Sequence, residues 1–188
     1  MNPSFFEKLD RSTAHRQSRD DLKELVLQNP DLFEELLQLA LKTSYKNHFK
    51  ACWVLELVVE VNVTFMKDYQ DLFCENLQNF TNESALRSVA KIGRFMVENS
   101  KTIWLNIPNE QKLIDACFDW LISGKKVATK AYAMQTLGIL SKKQPWIIEQ
   151  LKPIIEKDYA TESPAFKACA RMVLRKIHQK KTLNNGDF

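Results

Sequence analysis

Glycine and proline are scarce in this chain, which has four glycines and six prolines in 188 residues. Both residues dominate tight turns, so their scarcity argues against a β-sandwich, which needs many turns. The sequence also has no G-x-G-x-x-G, P-loop or G-x-S-x-G motif, which excludes the usual phosphate-binding loops and the nucleophile elbow. No apolar run approaches the roughly 18 residues of a membrane span, and the N-terminus lacks the pattern of a signal peptide. We therefore expect a cytoplasmic protein with no membrane partner.

Cysteine and histidine are also few and widely spaced. The four cysteines, Cys52, Cys74, Cys117 and Cys169, form no C-x-x-C pair, and each lies in an apolar helical pattern. Buried free thiols are the expected result, because disulfides are rare in a reducing compartment. The three histidines are far apart with no H-x-x-x-H. We predict no metal, no cofactor and no catalytic residue, so the sequence favours a non-enzymatic protein but leaves an enzyme open.

What the chain does have is a repeat. Four short segments each place a bulky or β-branched residue, a basic residue and a small residue in succession. Their basic residues are Lys50, Arg87, Lys130 and Lys167, which lie 37, 43 and 37 positions apart. A period near 40 is typical of helical solenoids, which act through their surfaces.

Helical signals run along almost the whole sequence. Helix starts are predicted at Asn29-Pro30 and at Ser163-Pro164, since an N-cap residue is followed there by proline at the first helical position. Ser18 reads as another start, and Pro153 is expected to kink or shorten the helix that begins at Pro145. Apolar periodicity predicts helices over 18–28, 47–61, 65–79, 84–99, 109–122, 126–142 and 164–180.

Pairing neighbouring helices gives a single repeat domain over 1–181. Residues 1–29 form an N-terminal cap, and the tail 182–188 is expected to fray. The four two-helix repeats are predicted at 30–61, 65–99, 109–142 and 145–180. The connector 100–108 contains Ile103, Trp104 and Leu105. Packing of these three side chains is the main expectation, and contact with a partner is the alternative.

The second helix of each predicted repeat resembles that of the HEAT/armadillo-like repeats. Thr129-Lys130-Ala131-Tyr132-Ala133-Met134-Gln135-Thr136-Leu137-Gly138 fits that pattern well, and 166–174 fits nearly as well. The resemblance covers about 30–180 and implies an all-α, right-handed α-solenoid.

The HEAT pattern also tends to place an aspartate six residues before each basic residue. Those positions hold Ser44, Thr81, Gly124 and Thr161 here, so the usual acceptors are missing. We expect the four repeated basic residues to make inter-repeat hydrogen bonds and to pack along their stems. The alternative is a basic ladder that faces a ligand.

Positive charge is concentrated in the C-terminal part of the sequence. Residues 125–181 contain 13 lysines and arginines against 4 aspartates and glutamates, whereas the whole chain has a net charge of +4. In the last helix, cations follow one another at i, i+4 and i+8 and form one stripe. The candidate binding residues are Lys125, Lys126, Lys130, Lys167, Arg171 and Arg175, which could contact phosphates. A solvated face of a terminal helix is the alternative explanation.

Two further resemblances suggest enzymes. HEAT-like alkylpurine DNA glycosylases are similar in build, and they use aromatic residues and a carboxylate to stabilise a cationic sugar. The corresponding residue types here are Trp53, Trp104, Trp120, Trp146, Asp115 and Asp119. The patterns at 130–134 and 165–168 are similar to those of short bacterial chains often labelled adenylosuccinate lyase. The Ser-rich Met-Pro-x-Lys-x-Asn-Pro loop of the lyases does not occur in this sequence.

The sequence thus predicts a non-catalytic scaffold that binds a protein through its helical repeats. DNA or RNA binding through the basic 125–181 surface, with or without glycosylase activity, is the alternative. Lyase-type activity is the third possibility, and it rests only on the label given to the similar bacterial chains.

Overall fold

The computed structural model describes residues 2–184, with side chains described as far as Ile177. The fold over these residues is all-α, as predicted, with ten α-helices and two short 3-10 helices. The α-helices are α1 Pro3–Arg11, α2 Arg16–Gln28, α3 Leu32–Leu41, α4 His48–Val61, α5 Gln70–Glu75, α6 Glu83–Glu98, α7 Ile107–Ile122, α8 Val127–Leu140, α9 Trp146–Tyr159 and α10 Pro164–Asn184. No described helix is both long and apolar enough to cross a membrane.

The chain forms two compact units, one ending at Lys112 and one beginning at Leu113. In the first unit α4 is central, and it packs against α2, α3 and α6. Most of its apolar positions are buried, because neighbours surround it on several sides. Burial of this kind supplies most of the stability of a short helix in water.

Helix α1 is tied to the first unit by polar contacts with the α3–α4 turn. The carboxylate of Asp10 accepts hydrogen bonds from the Tyr45 hydroxyl at 2.6 Å and from Asn47 Nδ2 at 2.7 Å. These two hydrogen bonds lower the pKa of Asp10. The N-terminal residues are therefore a docked part of the unit.

The second unit is built around α8, which packs against α9 and α10. Helices α8 and α10 approach closely at Gly138. A Cβ atom added there would lie 2.8 Å from Val173 Cγ1, which is closer than real Cβ contacts allow. Glycine at this position lets the two helices pack at their observed separation.

The prediction of one helix over 65–79 is wrong. The segment is split into a 3-10 helix at Val63–Met66, the short α5 and a second 3-10 helix at Leu77–Asn79. Polar side chains compete for the backbone here: Gln70 Nε2 donates to the Lys67 carbonyl, and Asn76 Nδ2 donates to the Leu72 carbonyl. Such local bonds offer the chain an alternative to a continuous helical ladder.

Two predicted helix starts differ in the structure. Asn29 ends α2, since its backbone N–H bonds the carbonyls of Leu25 and Val26, and α3 begins three residues later. Helix α2 begins at Arg16, two residues before Ser18, whose hydroxyl accepts a bond from the Thr13 N–H.

The predicted start of the last helix is confirmed, whereas two expectations about helix ends differ from the structure. Helix α10 begins at Pro164, and the Ser163 hydroxyl accepts from the Phe166 N–H at 3.3 Å. Pro153 does not end α9, which continues to Tyr159. Helix α10 runs to Asn184, so the tail expected to fray at 182–188 begins inside it and otherwise lies outside the described residues.

Candidate functional site

The four repeated basic residues all donate to acceptors within the protein. Lys50 Nζ donates to the Asp10 carbonyl, and Lys167 Nζ donates to the Ala160 carbonyl at 3.0 Å. Arg87 Nη1 lies 3.1 Å from Glu56 Oε2, and Lys130 Nζ bonds Glu162. Arg87 and Lys130 bond carboxylates of a neighbouring predicted repeat, as expected, whereas Lys50 bonds the predicted N-terminal cap and Lys167 bonds within its own predicted repeat.

Glu56 accepts hydrogen bonds from three side chains, one of them the repeated Arg87, in a buried network between α4 and α6. Its carboxylate accepts from Arg87, from the Ser88 hydroxyl and from Lys91 Nζ at 2.9 Å. Burial disfavours the charged form of Lys91. The hydrogen bond to Glu56 and the attraction of its charge outweigh this effect, so the pKa of Lys91 is raised. A buried carboxylate with three partners is satisfied, so this network fixes the helix pair and is not a binding site.

Sequence reasoning missed Glu56. The available signal was the i, i+4 pair Glu56 and Glu60 in an otherwise apolar helix. Arg87 and Lys91 show the same spacing in the next repeated segment, and Lys91 bonds both glutamates. Complementary charges at matching spacing on consecutive repeats would have predicted this network.

The six candidate binding residues lie in the second unit. Lys130 is only 7% exposed and is paired with Glu162, so the structure gives it a packing role. Arg171 donates to the Tyr159 hydroxyl at 2.9 Å, and the Lys167 ammonium lies 5.9 Å from the centre of the same ring. The other candidates are at or near the surface, with Lys126, Arg171 and Arg175 exposed and Lys125 and Lys167 half-buried.

The aromatic and acidic residues considered for catalysis are in different environments. Trp120 is buried in the core, and Trp146 donates to Gln144 Oε1 and stacks near Phe118. Trp53, in the first unit, is half-buried and covered by the Arg19 guanidinium at 5.8 Å. Asp115 and Asp119 are exposed on α7.

The thiols of the described residues lie in the core, and the surroundings of the buried imidazole are also apolar. All four cysteines are buried, and burial raises the pKa of Cys74 to about 12. Burial lowers the pKa of His48. No group of three or more His, Cys, Asp or Glu side chains among the described residues could hold a metal ion.

The connector between α6 and α7 combines buried and exposed apolar side chains. Ile103 and Leu105 are buried, as predicted, whereas Trp104 is 71% exposed and Ile107 is 79% exposed. The segment is held in place by Asp71, which accepts from Asn106 Nδ2 at 3.2 Å and from Asn109 Nδ2 at 2.6 Å. We call Trp104 and Ile107 the connector patch.

A comparison with protein-family models now identifies the class of the chain. The model of the HEAT repeat domain matches residues 5–177. The chain belongs to the HEAT repeat family. Neither the curated proteins nor the solved structures give a match. The family agrees with the all-α structure and with the α-solenoid class, and HEAT-repeat proteins are binding scaffolds.

Proposed function

We propose that this HEAT-repeat chain is a non-catalytic scaffold that binds a protein partner, with the connector patch as an anchor. The observation that carries the proposal is the exposure of Trp104 and Ile107 on a segment whose neighbours Ile103 and Leu105 are buried. A large apolar side chain on a fixed backbone loses little conformational entropy on binding. Tryptophan is also enriched among the residues that dominate protein–protein affinity.

The surroundings of the connector patch favour a protein over a nucleic acid. Asp71 bonds the connector itself, and Glu75 pairs with Lys112 at 3.3 Å. Proteins that stack nucleic-acid bases on aromatic rings combine those rings with a positively charged groove. Asp71 accepts only from neutral amides there, so its carboxylate would repel a phosphate backbone at this position.

The test compares wild type with Trp104→Ala/Ile107→Ala. A protein recovered on the immobilised wild-type chain is purified, and its binary affinity is measured by isothermal titration calorimetry. We expect Kd to rise at least about tenfold in the double variant, since interface anchors typically carry this much binding energy or more.

Val61→Ala is the matched control, because Val61 is also apolar and is 60% exposed in the same unit. It should leave Kd unchanged. Equal affinities for wild type and Trp104→Ala/Ile107→Ala would show that the connector patch is not the anchor. The absence of any protein that binds the purified chain directly would contradict the scaffold proposal.

A second candidate function is DNA or RNA binding through α10. Arg171 and Arg175 are exposed one turn apart, and no described carboxylate forms an ion pair with either. Fluorescence anisotropy with labelled duplex and single-stranded DNA tests this candidate at two salt concentrations. Affinity that falls steeply with salt and is lost in Arg171→Ala/Arg175→Ala would support it, and no binding at low salt would exclude it.

A further inference from the structure

A groove of about 460 Å³ lies in the first unit, beside the start of α3 and the segment that follows α4. Nine residues line it: Pro30, Asp31, Phe33, Glu34, Asn62, Thr64, Phe65, Asp68 and Tyr69. None of these lining residues is basic. The groove is distinct from the connector patch and from the Glu56 network.

One wall of the groove is aromatic. The rings of Phe33 and Phe65 stack with their centroids 4.8 Å apart, and the Phe33 and Tyr69 centroids are 5.5 Å apart. Phe33 is buried and fixes the other two rings, which are half-buried. The partly accessible rings of Phe65 and Tyr69 can therefore contact a ligand in the groove. Ring faces of this kind attract cations.

The rim of the groove is acidic and none of its lining residues is a cation, although the exposed Lys67 is the neighbour of Asp68 in the chain. Asp31, Glu34 and Asp68 are exposed, and no ion pair involves any of them among the described residues. Glu34 accepts a hydrogen bond from the neutral Gln38 amide at 3.1 Å. Burial first, and then the charges of Glu34 and Asp68, raise the pKa of Tyr69. Both carboxylates line the same groove as this phenol.

Favourable interaction with a helix dipole does not account for all three carboxylates. Asp31 and Glu34 lie at the N-terminus of α3, where negative charge is stabilised in any protein. Asp68 belongs to the segment between Met66 and α5, so the α3 dipole does not explain its position on the same rim. The unneutralised charge of the rim remains available to a cation.

We propose that this groove binds an arginine side chain from an extended basic segment of the protein partner. A guanidinium is planar, so it can stack on the Phe65 and Tyr69 rings while its N–H groups donate to the carboxylates. The inference rests on the proposed function and specifies the chemistry of the partner. Charge complementarity selects the occupant, because a groove with three carboxylates and no cation disfavours acidic segments.

A second groove in the same unit provides the contrast. It lies beside α1 and α2 and is lined by Lys8 and Arg11 together with Asp21 and Glu24. Both signs of charge are present, so it has no comparable preference for cations.

The test uses acetyl-(Arg-Gly)3-amide as the probe and backbone amide NMR shifts of the full chain as the readout. We expect shifts at Thr64 and Tyr69 that saturate with peptide, and none with acetyl-(Glu-Gly)3-amide. Asp31→Asn/Asp68→Asn should raise Kd about fivefold or more, the size expected when exposed ion pairs are lost.

Asp21→Asn/Glu24→Gln is the matched control, because it removes the same net charge at the second groove. It should leave Kd within about twofold of wild type, since the second groove shares no lining residue with the first and salt screens exposed charges. An equal loss of affinity for the arginine peptide in both double variants would show that binding depends only on the net charge of the protein. That result would overturn the proposal. Arginine-peptide shifts that are absent, or that appear equally at both grooves, would also overturn it.

The two proposals fail in different ways. A partner that requires Trp104 while the arginine peptide causes no shift at Thr64 would refute the groove alone. Peptide binding in the groove, without any protein that binds the purified chain directly, would refute the scaffold alone.

Discussion

At the scale of single residues, Glu56 shows how an acidic side chain can be central to an apolar helix. It is nearly inaccessible, and it receives bonds from Arg87, Ser88 and Lys91. Its removal would leave the largely buried Lys91 ammonium and Ser88 hydroxyl without their shared acceptor, and would also remove the partner of the more exposed Arg87. The cost of such a loss exceeds the net value of the ion pairs themselves.

We expect Glu56→Ala to lower the free energy of unfolding by about 3–5 kcal/mol, the range for breaking a buried charge network. Glu60→Ala serves as the control. Glu60 also bonds Lys91, but its side chain is 43% exposed, so its loss should cost about 1 kcal/mol or less. Chemical denaturation of both variants measures the difference. Similar values for the two would mean that Glu56 is solvated and not part of a buried network.

His48 should make the stability depend on pH just below neutrality. Its ring is buried, lies near the Ala40 carbonyl and stacks near Phe80, and burial lowers its pKa. The unfolded chain therefore binds a proton at higher pH than the folded chain does. Stability is fully present above the unfolded pKa of about 6.5 and falls as the pH drops below that value.

The measurement is urea unfolding between pH 7.5 and pH 5.0. Wild type should lose stability over this interval, and His48→Gln should lose less. His15→Gln is the control, since it removes an imidazole that is exposed. A wild-type slope that survives in His48→Gln would assign the pH dependence to other groups.

At the scale of elements, Gly138 sets the distance between α8 and α10. Alanine would gain about 1 kcal/mol of helix propensity at this position. Its Cβ, however, would meet the β-branched Val173 at 2.8 Å, and overpacking of that kind costs about 1–3 kcal/mol. We expect Gly138→Ala to be destabilising by about 1 kcal/mol.

A double-mutant cycle tests the cause. In a Val173→Ala background the clash disappears, so Gly138→Ala should become neutral or stabilising. Thermal denaturation of the four chains gives the coupling directly. The same destabilisation in both backgrounds would mean that Gly138 matters for a reason other than this contact.

The elements also show which parts of the fold can be predicted from sequence. The starts of α6 and α10 are determined by local interactions, because Asn82 and Ser163 accept hydrogen bonds from N–H groups two or three residues ahead. Asn29 was misread because one side chain can cap the end of α2 as easily as the start of α3. The break at 63–79 follows from competition between polar side chains and backbone, which apolar periodicity does not register.

The candidate sites were less predictable for a physical reason. The acceptors of Lys50 and Lys130 lie 40 and 32 positions away, so their choice depends on how the repeats stack. The sequence indicated that the connector is apolar, but the outward orientation of Trp104 between two buried neighbours is a tertiary property. The acidic groove joins the start of α3 to a segment some 30 residues later. In the sequence, the aromatic residues of its wall resemble the buried face of a helix.

At the scale of the whole molecule, the cysteines report on opening of each unit. Cys52 and Cys74 belong to the first unit, and Cys117 and Cys169 belong to the second. All four are buried, and burial raises the pKa of Cys52, Cys74 and Cys169, so native thiols should resist alkylation.

We expect no labelling by iodoacetamide in the native state at pH 8. With increasing urea, the two thiols of a unit should become reactive in one transition, because each unit is compact. Pulse labelling with peptide mass spectrometry assigns each thiol. Exposure of Cys74 well before Cys52 would show that the region around α5 opens by itself.

The repeated basic residues bond acceptors of different kinds, and this limits how the array of repeats could have been lengthened by duplication. Arg87 depends on Glu56, which lies six positions after Lys50, whereas the sixth position after Arg87 is Gly93. A tandem copy of 65–99 would place its arginine opposite a glycine that offers no carboxylate. The repeats are therefore not interchangeable modules, and the chain could not be lengthened by duplicating this repeat without new substitutions on both sides of the joint.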